Sequence, residues 1–133
     1  MGMQNFRVLV VDDSVNKSIE IKRALMSNGI KDILLLGNQE DVWEEIERGE
    51  ETDKKIDLIV TDMNYPLSSG QAADPKAGFI LLDELKGRGI HIPVIICSSI
   101  NYDEPEALGC VWYSDFTDMD FDFKQILKKL QRN

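Results

Sequence analysis

The chain has 133 residues, 43% of them hydrophobic and 29% charged, and its 15 Lys and Arg stand against 24 Asp and Glu for a formal net charge of −9. That length suits one domain around one continuous core. The charge repels phosphate backbones and excludes direct nucleic-acid binding, and no apolar run approaches the roughly 20 residues of a membrane span. Met1 to Asn5 lacks the basic flank and apolar stretch of a secretory signal, Met1-Gly2-Met3 reads as carrying a cloning remnant, and the expected compartment is cytoplasmic.

In chain order, short apolar runs at Val8 to Val11, Ile33 to Leu36, Leu58 to Val60 and Val94 to Cys97, with a weaker fifth at Cys110 to Tyr113, predict strands. Their character is continuous rather than alternating, as in parallel strands covered by helices on both faces. Between them the spacing is helical. Ile19, Ala24 and Leu25 mark a helix ending at Asn28-Gly29, Val42, Trp43 and Ile46 one ending at Gly49, and Phe79, Leu82 and Leu85 one ending at Gly87. Phe123, Ile126, Leu127 and Leu130 mark the last. Ser98 to Gly109 leaves room for a fourth helix of only a turn or two, started by Asp103 with Pro105 in its first turn. Tyr65 to Ala77, rich in Pro, Ser, Gly and Ala, predicts a long loop and the most mobile internal segment.

This alternation predicts a doubly wound five-stranded parallel sheet, flavodoxin-like with strand order 2-1-3-4-5 and a shortened fourth helix. In such sheets ligands bind beyond the carboxyl ends of the strands. Cys97 and Cys110 sit in apolar runs without metal-site spacing and read as buried free thiols. His91, the single histidine, lies in a loop before a strand and has no second histidine to share a metal.

The first strand runs directly into Asp12-Asp13-Ser14 and the third into Asp62-Met63-Asn64, so three carboxylates emerge at one sheet edge. Each alone is more often a helix cap or turn former. Together they repel, by roughly 4 kcal/mol for a pair about 4 Å apart at an effective dielectric near 20. A divalent cation is one relief, with magnesium suited to an open oxygen site and manganese as a substitute; protonation of one carboxylate is another. Metal at Asp12, Asp13 and Asp62 is then expected to stabilise the fold.

The stretches Val8 to Ser14, Asp57 to Met63, Gly78 to Leu85 and Pro93 to Ser99 resemble the receiver domain of two-component response regulators, and the resemblance covers Phe6 to Leu130. It implies that Asp62 accepts a phosphoryl group from a histidine kinase or phosphotransfer protein. It also implies that Asp12, Asp13, Asp62 and the Asn64 carbonyl hold magnesium, that Ser98 bonds the phosphoryl group, and that Tyr113 is the aromatic switch. The output would be a downstream protein or a self-dimer. At the position of the family's lysine after the fifth strand this chain has Phe116, and Lys17 in the first helix reads as only a remote substitute. A second reading follows from that departure, a receiver fold serving as a phosphorylation-independent interaction scaffold. A third, a phosphatase of the haloacid dehalogenase type, wants a second aspartate where Asn64 stands.

Overall fold

The computed structural model describes Met3 and residues 5–130. In chain order the elements are β1 (Arg7–Val11), α1 (Val15–Ser27), β2 (Asp32–Leu36), α2 (Gln39–Glu51), β3 (Leu58–Thr61), β4 (Tyr65–Pro66), β5 (Ala73–Asp74), α3 (Ala77–Gly87), β6 (Val94–Ser98), β7 (Gly109–Trp112) and α4 (Met119–Leu127), closed by a 3-10 turn at Lys128–Leu130. Five strands form one parallel sheet in the order β2-β1-β3-β6-β7. Counting those strands alone, this is the expected 2-1-3-4-5 arrangement.

Side chains alternate across a strand, so each apolar run feeds two cores. Val8 and Val10 pack with Ile21 and Leu25 of α1 and with Phe123 and Leu127 of α4. Leu9 and Val11 pack on the opposite face with Val42 and Ile46 of α2 and with Leu81 and Leu85 of α3. The helix starts are set by side chains that satisfy free amide donors. Ser14 accepts from the Lys17 amide, Asn38 from Asp41 and Asp118 from Phe121. Gly29, at φ 92, supplies the left-handed residue that ends α1.

Four expectations change. Residues 99–108 contain no helix: Ala107 N donates to Glu104 O in a turn, and Leu108 N is already bonded to Val94 O, which leaves too little chain around Pro105 to complete a helical turn. Tyr65 to Ala77 is not a loose loop. It is a hairpin in which Tyr65 pairs with Asp74 and Pro66 with Ala73, Tyr65 is fully buried, and Leu67 O accepts from the Glu40 amide. Met3, read as part of a cloning remnant, lies in the first core at 4% exposure, while Met1 and Gly2 fall outside the described residues. Finally, only Cys97 of the two free cysteines is buried, Cys110 being half-exposed. No helix among the described residues is long and apolar enough to cross a membrane.

Candidate functional site: an ammonium between two carboxylates

β1 ends at Val11 and β3 at Thr61, which are register partners, so the following Asp12 and Asp62 lie side by side beyond the sheet. Backbone donors hold one oxygen of each: Asp12 Oδ1 accepts from Ser14 N at 2.8 Å and Asp62 Oδ1 from Met63 N at 2.7 Å. Lys17, from the first turn of α1, reaches across the remaining two. Its Nζ lies 2.8 Å from Asp12 Oδ2 and 3.3 Å from Asp62 Oδ2, and donates to the Cys97 carbonyl at 2.8 Å. Asp12 Oδ2 has no hydrogen bond of regular geometry, so its contact with the ammonium is an ion pair rather than an aligned bond.

The reading of Lys17 as remote is therefore corrected. A lysine stem spans the distance from α1 to the sheet edge, and 6% of the residue is exposed. Its sequence position carried a signal: Lys17 stands four, seven and eight residues before Ile21, Ala24 and Leu25, all buried, which places it on the inward face of the helix.

The other expected residues divide. Ser98 is buried beside the site, where its Oγ accepts from Ile100 N at 3.2 Å. The Tyr113 ring lies under Lys17, with Nζ 5.4 Å from its centroid, and the Tyr113 hydroxyl donates to Glu20 on α1. Asp13 and Asn64 are exposed, and Phe116 is 91% exposed in the segment after β7. α3 begins close against the site: a Cβ on Gly78 would come within 2.7 Å of the Asp62 carbonyl.

Burial raises the Asp12 pKa, against the lowering effects of Lys17 and the Ser14 amide. Burial also pulls Lys17 down, but Asp12 and Asp62 outweigh it and leave the ammonium above its ordinary value. Both values thus rise, which favours the charged form of Lys17 but the neutral form of Asp12. The Lys17 direction is the firmer, because two carboxylates and a carbonyl surround the ammonium. The hydrogen bond to Glu20 pushes Tyr113 up to about 12, and burial does the same for the Cys97 thiol.

Stability contributed by a group with a raised pKa is complete below its unfolded value and is lost as pH rises through the folded one. For Lys17 that window opens near 10.5. Urea unfolding should accordingly show stability falling above about pH 10 more steeply in the natural chain than in Lys17→Met; parallel curves would place the charge elsewhere. Asp12 gives the same sign in acid, a loss as pH rises from 3.8 through its higher folded value.

A divalent ion is tested by the same geometry. All four oxygens of Asp12 and Asp62 are engaged by backbone amides or by Lys17, and among the described residues no three His, Cys, Asp or Glu side chains converge as a metal site. In this arrangement Lys17 holds the position between Asp12 Oδ2 and Asp62 Oδ2 that a divalent ion would take.

No protein-family model matches the sequence, and no curated protein matches it. Solved structures do. The RcsB response regulator of Salmonella typhimurium aligns over 97% of this chain at 15% identity and a TM-score of 0.68, and this chain spans 61% of that protein. The chemotaxis response regulator CheY4 of Vibrio cholerae aligns over 96% of this chain and 97% of its own at 18% identity and a TM-score of 0.62. This chain has the response-regulator receiver fold. A third structure of that fold, the Mn2+-bound form of response regulator Rcp1, aligns over 91% of each chain at 16% identity and a TM-score of 0.64. Within the receiver fold, the departure that matters here is the origin of the cation, which comes from α1 and not from the segment after the last strand.

Proposed function

We propose that this chain is a cytoplasmic regulatory module of the receiver type that binds a partner protein without needing phosphorylation, its acidic site being held in one arrangement by Lys17. The observation that carries this reading is the ammonium seated between Asp12 Oδ2 and Asp62 Oδ2. Phosphoryl transfer to an aspartate depends on charge neutralisation around the transferred group, and signalling depends on two arrangements of the switch that the new charge can bias. Here the cation is in place beforehand. It also holds the Tyr113 ring, whose hydroxyl is anchored on Glu20, so the aromatic side chain is fixed from above and at its tip. The module binds rather than catalyses, and it carries its own cation in place of magnesium or manganese.

One observation favours a second reading, phosphoryl acceptance at Asp62 from a histidine kinase or phosphotransfer protein with magnesium. The Asp62 side chain is 18% exposed against 1% for Asp12, so a donor has access to it, and Lys17 would then pair with the added charge. Intact mass after incubation with magnesium and acetyl phosphate separates the two. The natural chain should gain nothing, and its Tyr113 amide should not shift with beryllium fluoride. A gain of one phosphoryl group that is absent in Asp62→Asn would put the second reading in place of the first.

A further inference from the structure

Away from the acidic site, α2 and α3 leave a groove of about 480 Å3 between them, floored by the half-buried side chains of Trp43, Leu67 and Ile80. Along one wall, Glu40, Glu44 and Glu47 are exposed at successive turns of α2. None of them is ion-paired among the described residues. Like charges four residues apart on a helix destabilise it, so this row keeps a repulsion that a cationic occupant would relieve. The floor itself already receives a guanidinium. Arg88 places its Cζ 4.1 Å from the centre of the Trp43 ring while pairing with Glu84 at 3.2 Å, which demonstrates the stacking geometry that Trp43 offers.

We propose that the α2–α3 groove docks an arginine-bearing segment of a partner protein, with one guanidinium taking the place that Arg88 holds on Trp43 and its neighbours paired with Glu40, Glu44 and Glu47. Arginine fits better than lysine because the planar group both stacks and forks onto carboxylates. Apolar residues of the segment would cover Leu67 and Ile80. A second copy of this chain is a poor occupant, since each brings a formal charge of −9. Leu67 belongs to the hairpin, so the β4–β5 insertion builds one edge of the groove.

The test uses the full chain labelled for amide spectroscopy and a synthetic amphipathic peptide carrying arginines among leucines. Amide shifts should concentrate in residues 39–47 and 80–88. In a Trp112→Phe background the remaining Trp43 fluorescence should report the same binding. Glu44→Gln with Glu47→Gln should weaken binding about tenfold, equivalent to about 1.4 kcal/mol, as should Trp43→Ala, and lysines in place of the arginines should weaken it too. Neutralising three exposed carboxylates elsewhere, by Asp103→Asn, Asp115→Asn and Asp120→Asn, should change it by less than about twofold. The glutamate pair is on the surface and leaves the fold intact, so its result stands even if Trp43→Ala unfolds. Equal weakening by the distant triple variant, shifts spread over the whole acidic surface, or self-association through this face would each overturn the proposal.

Discussion

Replacing Lys17 by methionine should destabilise the domain by about 3 to 5 kcal/mol at neutral pH, because it leaves the buried Asp12 carboxylate without its cation. For a chain of this size that is a fall in melting temperature of roughly 10 to 20 °C. Three controls give the number its meaning. Asp12→Asn combined with Lys17→Met should recover much of the loss, since a buried charge without a partner costs far more than a neutral pair. The loss should shrink in acid, where the raised pKa of Asp12 lets it take up a proton early. Millimolar magnesium should raise the melting temperature of Lys17→Met by relieving the two carboxylates it exposes to each other, while hardly moving that of the natural chain. A large magnesium effect on the natural chain would mean that Lys17 yields the site to metal, and the self-neutralised site would have to be given up.

Tyr65→Ala should cost a similar amount, about 3 to 5 kcal/mol, for a fully buried aromatic cut back to a methyl group. The side chain does two things at once. Its ring fills the second core, and its hydroxyl bonds Thr61 Oγ1 at 3.0 Å and Gln39 Nε2 at 3.4 Å. Burial pushes the phenol up to about 12, so it stays protonated throughout the useful pH range. Tyr65→Phe isolates the polar part and should cost only about 1 to 1.5 kcal/mol. The difference between the two variants is the anchoring of the β4–β5 hairpin. Hydrogen exchange across residues 65–77 should accelerate strongly in Tyr65→Ala and little in Tyr65→Phe. A hairpin still protected in Tyr65→Ala would mean that Leu67 and the backbone pairing hold it without the ring.

The sheet was legible because each run such as Val8 to Val11 is apolar at every position, and only a strand covered on both sides asks for that. The hairpin was not, since β4 and β5 are two residues each and too short to show a period. Tyr65, an aromatic standing among Pro, Ser and Gly, was its one visible anchor. At the site, Asp12 and Asp62 were placed by strand ends alone. Asp13 was placed there by the same strand end but is exposed, and the Asn64 carbonyl came in only through the resemblance. Lys17 was read as remote because it stands on the first helix and not on a strand end. Its spacing to Ile21, Ala24 and Leu25 said otherwise, and a long aliphatic stem lets such a residue line a core and still deliver its charge to a polar edge.

Taking the cation from α1 alters the order in which the site can come together during folding. Asp12 and Lys17 are five residues apart on one strand–helix unit, and Asp62 joins when β3 pairs with β1. The first contact is local and the second needs the β1–β3 pairing, whereas a cation supplied from beyond β7 would have to wait for the last strand to dock across a longer stretch of chain. The charges that balance at the carboxyl edge thus all come from the amino-terminal half, with the Cys97 carbonyl of β6 completing the ammonium's partners. The segment after β7 is released from reaching back to the acids, and at Phe116 it can hold an aromatic ring out in water instead.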